Sequence, residues 1–126
     1  MLTRANRLTS SRAFAETIRR GRRAGARTLV LHLAQPAEGG AGSAGDRPVQ
    51  IGLVVSKAVG NAVCRNQVKR RLRHLARERL SSLPGAAVLV VRALPAAAEA
   101  TSAELGADFD VALHRLGRRR TVGTSP

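Results

Sequence analysis

The chain predicts a single α+β domain with four strands, in the order α-β-β-β-α-β-α, and three stretches carry that prediction. From Gly52 to Arg79 (GLVVSKAVGNAVCRNQVKRRLRHLARER), an apolar, β-branched run meets a Ser-Lys pair, a Gly-Asn breaker and a helical pattern dense in arginine. That reads as strand, turn and helix. Thr28 to Ala34 alternates Leu29, Leu31 and Leu33 against Thr28, Val30 and His32, the period of a strand. Thr101 to Glu104 spells a T-x-x-E capping box ahead of Leu105, Phe109, Ala112 and Leu116, which recur at helical spacing.

Taken in order, Ser10 or Ser11 is a plausible N-cap for a helix running to Arg20 and stopping at Gly21, with Phe14 and Ile18 on one face. Arg22 to Ala26 suits a short edge strand. In the following strand the leucines face inward and His32 the other side, as a surface or groove residue. Residues 35–48 (QPAEGGAGSAGDRP) have no apolar periodicity and read as a flexible loop. Val49 to Val55 resumes the sheet, and Pro84-Gly85 turns the chain into Ala87 to Val91, apolar on both faces and so expected at the sheet centre. Four of the eight acids (Glu99, Glu104, Asp108, Asp110) sit in or just before the last helix, which reads as a structural lid. The domain is expected to end at residue 117, leaving 118–126 as a basic, disordered tail.

In the central helix Asn61 is the expected N-cap, and Gly60 lets the chain bend before it. At about 100° per residue, Arg65, Lys69, Arg73, Asn66, Arg77 and Arg70 fall within an arc of about 140°. Cys64, Leu75, Val68, Leu72 and Ala76 form an apolar arc of about 120°. Arg71 falls in the remaining, solvent-facing sector with His74, Gln67 and Glu78. The basic arc holds no carboxylate, so its cations repel one another unless something anionic compensates. Of the 22 basic residues only Lys57 and Lys69 are lysines, and both lie in this stretch. A compact ammonium is distinguished there from the planar arginine fork.

A formal net charge of +14 over 126 residues points to nucleic acid or an anionic membrane. Arginines every few positions before Arg27 leave no apolar core for a secretory signal, and nothing targets or spans a membrane. The lone cysteine, Cys64, lies on the apolar arc and reads as a packed thiol, and the cytoplasm is the expected compartment. The acids form no cluster near the basic helix, and His32, His74 and His114 fall on three elements without metal-ligand spacing. No catalytic residue and no protein metal site are therefore expected. Two phenylalanines are too few for the stacking platform of an RRM or OB-fold.

VSKAVGNAVCRNQVKRRLR closely resembles the signature of the bacterial ribonuclease P protein subunit. Ser56, Lys57, Gly60, Asn61, Ala62, Val63, Arg65, Asn66, Lys69, Arg70 and Arg73 match it in register, and Asn6-Arg7-Leu8 resembles an element near that family's N-terminus. The resemblance implies a four-stranded mixed sheet, a fold shared with a domain of a small-subunit ribosomal protein, with a left-handed βαβ crossover. Handedness of that kind runs against a rule obeyed in about 98% of cases and is not derivable from these residues.

The resemblance further implies a subunit of an endoribonuclease, ribonuclease P, whose catalytic RNA cleaves the 5′ leader from precursor tRNA. Mg²⁺ would be held by the RNA subunit and substrate. Lys57, Asn61, Arg65, Asn66, Lys69, Arg70 and Arg73 are the expected contacts to the RNA subunit. Phe14, Ile18 and His32 are the expected leader contacts, in a groove away from the basic arc; Ile18 and His32 stand where such proteins often carry aromatics. Catalytic RNA and precursor tRNA are the expected partners, with no protein partner evident. Composition alone would also suit a ribosomal or RNA-chaperone protein. A DNA-binding use of the helix lacks a dimerisation heptad or a paired helix–turn–helix pattern.

Overall fold

The computed structural model describes residues 6–8, 10–34, 49–83 and 87–122. Helix α1 spans Ser11–Arg20, followed by β1 (Arg22–Gly25), β2 (Leu29–Ala34), β3 (Gln50–Val54), α2 (Ala62–Glu78), β4 (Val88–Ala93) and α3 (Ser102–Val122). This is the predicted element order. The loop expected at 35–48 and the Pro84-Gly85 turn lie outside the described residues.

The sheet order is β1-β2-β4-β3, with β1–β2 and β2–β4 antiparallel and β3–β4 parallel. The sheet is therefore mixed, and β4 lies inside it, as its unbroken apolar run requires. Register sorts the side chains onto two faces. Leu29, Leu31 and Leu33 share one face with Ile51, Leu53, Leu89 and Val91. Against that face α2 buries Val68, Leu72, Leu75 and Ala76, and α3 buries Leu105, Phe109, Ala112 and Leu116. On the opposite face α1 packs on β2 and β4.

Local chemistry fixes the helix ends. Ser10 caps α1 by accepting from the Ala13 amide at 3.2 Å, and the Gly21 amide closes it onto the Thr17 carbonyl. Thr101 and Glu104 form the reciprocal capping box at 2.8 and 3.1 Å. Two further acids pin α3 to its neighbours. Asp108 accepts from the Thr28 amide and hydroxyl at 3.0 and 2.6 Å, and Asp110 pairs with Arg79 after α2 at 2.6 and 3.1 Å. Arg115 donates to the Gly25 carbonyl, and Arg22 returns a bond to Leu116. The lid reading of α3 holds.

The helix itself runs past the residue at which the domain is expected to end. α3 continues to Val122. A single Gly117 costs a helix only ~1 kcal/mol against Ala, so it does not by itself end α3.

Candidate nucleic-acid interface

Asn61 caps α2, its Oδ1 accepting from the Cys64 amide at 2.9 Å. Gly60 has φ +157°, and a Cβ there would lie 3.0 Å from Cys64 Cβ and Sγ, so glycine is required at the bend. Lys57, Asn61, Asn66 and Arg70 are exposed, whereas Arg65, Lys69 and Arg73 are half-buried. Arg65 Nε is buried without a hydrogen-bond partner among the described residues. The ion pairs among the described residues are Arg27–Glu104, His74–Glu78, Arg79–Glu78 and Arg79–Asp110. None of them includes Lys57, Arg65, Lys69, Arg70 or Arg73. The cationic face is therefore uncompensated among the described residues, in keeping with an arc that holds no carboxylate.

Arg71 departs from its solvent-facing assignment. Its Nη1 donates to the Ala100 carbonyl at 3.0 Å, tying α2 to the segment that leads into α3. The long side chain reaches across a gap that helical angle alone does not reveal.

The groove residues also differ from expectation. Phe14 is half-buried on α1, with its ring pressed against the Gly52 backbone of β3, where a Cβ would overlap the ring. With Gly52, Arg7, Lys69 and Arg73 it lines a cleft of about 280 Å³. Phe14 is thus not separate from the basic arc; β3 and its edge bring α1 and α2 to the same opening. Ile18 is half-buried one turn along α1.

His32 does face away from the leucines, but it is 1% exposed, so it is neither a surface nor an accessible groove residue. Alternation indicates the side of the sheet and not what covers it; α1 packs on that side of β2. Neither ring nitrogen has a hydrogen-bond partner among the described residues. Burial, then the charges of Arg92 and Arg23, hold the imidazole below its ordinary value of 6.5. A depressed pKa means that the unfolded chain takes the proton first. Stability is fully present above about 6.5 and is lost as pH falls through the folded value, at up to ~1.4 kcal/mol per pH unit. His32→Leu is expected to flatten that part of the pH–stability curve in urea titrations. An unchanged slope between pH 6.5 and 5 would show that His32 is not its source.

Sequence reading overlooked Arg92 and Arg7. Arg92 is the one charge in the apolar run VLVVRA and pairs in register with Val30, on the α1 side of the sheet. Arg7 could be found only through the resemblance of Asn6-Arg7-Leu8.

Fold and site together define a small, strongly basic α+β protein whose capped helix presents a carboxylate-free cationic face beside a cleft with one aromatic ring. A ribonuclease P family profile matches residues 2–117. The ribonuclease P protein component of a Nocardioides species is 58% identical over 123 residues, covering 96% of this chain and 99% of that protein. That of Streptomyces bikiniensis is 54% identical over 117 residues, covering 92% and 95%. Among solved structures, the ribonuclease P protein of Staphylococcus aureus superposes with a TM-score of 0.75 at 22% identity, covering 90% of this chain and 96% of that one. That of Thermotoga maritima gives 0.70 at 20%, covering 86% and 96%. These last two show the shared fold. The chain belongs to the ribonuclease P protein family. Its place is thereby a subunit of an endoribonuclease of tRNA processing. Among the described residues, no helix is long and apolar enough to cross a membrane.

Proposed function

We propose that the chain binds the catalytic RNA subunit of ribonuclease P through Lys57, Asn61, Arg65, Asn66, Lys69, Arg70 and Arg73. On the α1 side of the sheet, Phe14 and Ile18 receive the 5′ leader of precursor tRNA. His32 lies beneath that surface and supports it without touching the leader. The observation that carries the reading is the cationic face of α2, which has no ion pair among the described residues: guanidinium forks at Arg65, Arg70 and Arg73 suit phosphate, and Asn66 suits a phosphate or a base edge. A basic protein between two polyanions lowers their repulsion and with it the Mg²⁺ they require.

Hydrolysis belongs, in this reading, to the RNA subunit, with Mg²⁺ held by that RNA and the substrate. The protein's residues do not fit the metal. Asp108, Asp110 and Glu104 are engaged in holding α3, and no three His, Cys, Asp or Glu side chains converge among the described residues. The cytoplasm is the compartment, in keeping with a single free thiol, Cys64.

Reconstitution tests the reading: precursor tRNA and catalytic RNA at low Mg²⁺ are expected to give leader cleavage only when this protein is added. Assembly with the RNA subunit is expected to show a slope of log K against log salt of about −3 to −5, from roughly five displaced counterions. Arg70→Ala is expected to weaken assembly by ~1–3 kcal/mol and to flatten the slope by about one unit. Gln67→Ala, exposed on the same helix, is the silent control; Arg71 is unsuitable because it holds Ala100. A slope near zero, or equal losses at Arg70 and Gln67, would contradict a phosphate-led interface on this face.

A further inference from the structure

Arg7 is placed by the bonds of its neighbours Asn6 and Leu8. Asn6 Nδ2 donates to the Val49 carbonyl at 2.7 Å, the Leu8 amide donates to the Ile51 carbonyl at 2.9 Å, and Arg7 bridges Ile51 in parallel. Asn6–Leu8 therefore runs along the edge of β3 that β4 leaves open, with Leu8 buried against the sheet. The Arg7 side chain remains exposed and lines the cleft of about 280 Å³ with Phe14, Lys69 and Arg73.

Among the described residues, no acid lines this cleft. Three cations gathered around one aromatic ring repel one another, and an anion relieves them. The cleft is slightly below the ~300–1,000 Å³ of ordinary small-molecule sites, so it suits a single nucleotide and not a folded stretch of RNA. The two halves of a nucleotide match what is present: a ring for the base and cations for the phosphate. The basic arc is also divided. Lys69 and Arg73 are half-buried at the cleft, whereas Asn66 and Arg70 are exposed and outside its lining.

We propose that Arg7, Lys69 and Arg73 together hold one phosphate of the 5′ leader beside a base stacked on Phe14. Arg7 is then a substrate-binding residue, and Asn6–Leu8 is the strap that delivers it. This rests on the reading above that the α1 side takes the leader, and it assigns two cations of α2 to substrate in addition to the RNA subunit.

The test uses reconstituted holoenzyme and precursor tRNAs in which one leader phosphate at a time is replaced by an uncharged methylphosphonate. In wild type, one position is expected to lose about tenfold in affinity, the scale of a charge-assisted hydrogen bond. Arg7→Ala is expected to lose about tenfold with the normal leader, and the methylphosphonate at that same position then costs nothing further. Arg7→Lys recovers part of the loss, and binding of mature tRNA is unchanged throughout. Because the strap is bonded through Asn6 and the Leu8 backbone, Arg7→Ala leaves it seated, which a melting curve verifies. The inference is overturned if every methylphosphonate costs Arg7→Ala as much as wild type. It is equally overturned if Arg7→Ala weakens binding to the catalytic RNA alone by the same factor. Wild type that fails to prefer precursor over mature tRNA would instead defeat the underlying leader reading.

Discussion

Phe109→Ala is expected to lower the unfolding free energy by about 3–5 kcal/mol, the cost of removing a ring from a core that only partly collapses. Phe109 is fully buried on α3, in the same core cluster as Leu72 and Leu75 of α2 and Leu29 and Leu31 of β2. The Arg79 guanidinium stands 5.5 Å over its ring centroid, and Arg79 also pairs with Asp110, the next residue along α3. The truncation thus removes apolar volume and a cation–π contact at the point where α2 and α3 are joined. Domains of this size are stable by ~5–15 kcal/mol, so the variant would lie near the threshold for folding. Phe109→Leu keeps most of the volume and is expected to lose under ~2 kcal/mol. Urea unfolding of the three proteins measures the series. A loss below ~1 kcal/mol in Phe109→Ala would mean that α3 is held by Asp108 and Asp110 and not by its ring.

What the sequence revealed of this fold was local. The Asn61 cap, the Thr101–Glu104 box and the inward leucines of β2 each depend on residues at fixed short spacing, and each is found where predicted. The interior place of β4 was legible because an unbroken apolar run needs cover on both faces. What escaped was set by distant parts of the chain. Arg71 reaches Ala100 across 29 residues, and Asn6 reaches Val49 across 43. No periodicity encodes such contacts. His32 illustrates the same limit: period two places it opposite the leucines, but only the path of α1 determines that it is buried. The basic arc was legible as an arc; its meeting with Phe14 over Gly52 was not, because that meeting requires β3 to lie between two helices that pack on opposite faces of the sheet.

The shared cleft sharpens the consequence of changing Phe14. Phe14→Ala is expected to reduce discrimination of precursor from mature tRNA by ~1–3 kcal/mol, the value of one base stacked on one aromatic ring. It is also expected to cost stability, up to ~3–5 kcal/mol for a buried ring and less here because Phe14 is half-exposed. Gly52 separates the two effects. Its missing side chain makes room for the ring, so Phe14→Leu retains apolar cover over the β3 backbone while removing the flat π-face. If the leader base stacks on Phe14, the Leu variant folds near wild type and discriminates almost as poorly as Ala. If the ring is only packing, the Leu variant discriminates like wild type, and the leader is held by cations alone. Because Lys69 and Arg73 line the same cleft, some loss of affinity for the catalytic RNA in Phe14→Ala is compatible with a stacking role. The Leu variant leaves those cations in place, so a loss of discrimination there, with RNA-subunit affinity intact, assigns the ring to the substrate.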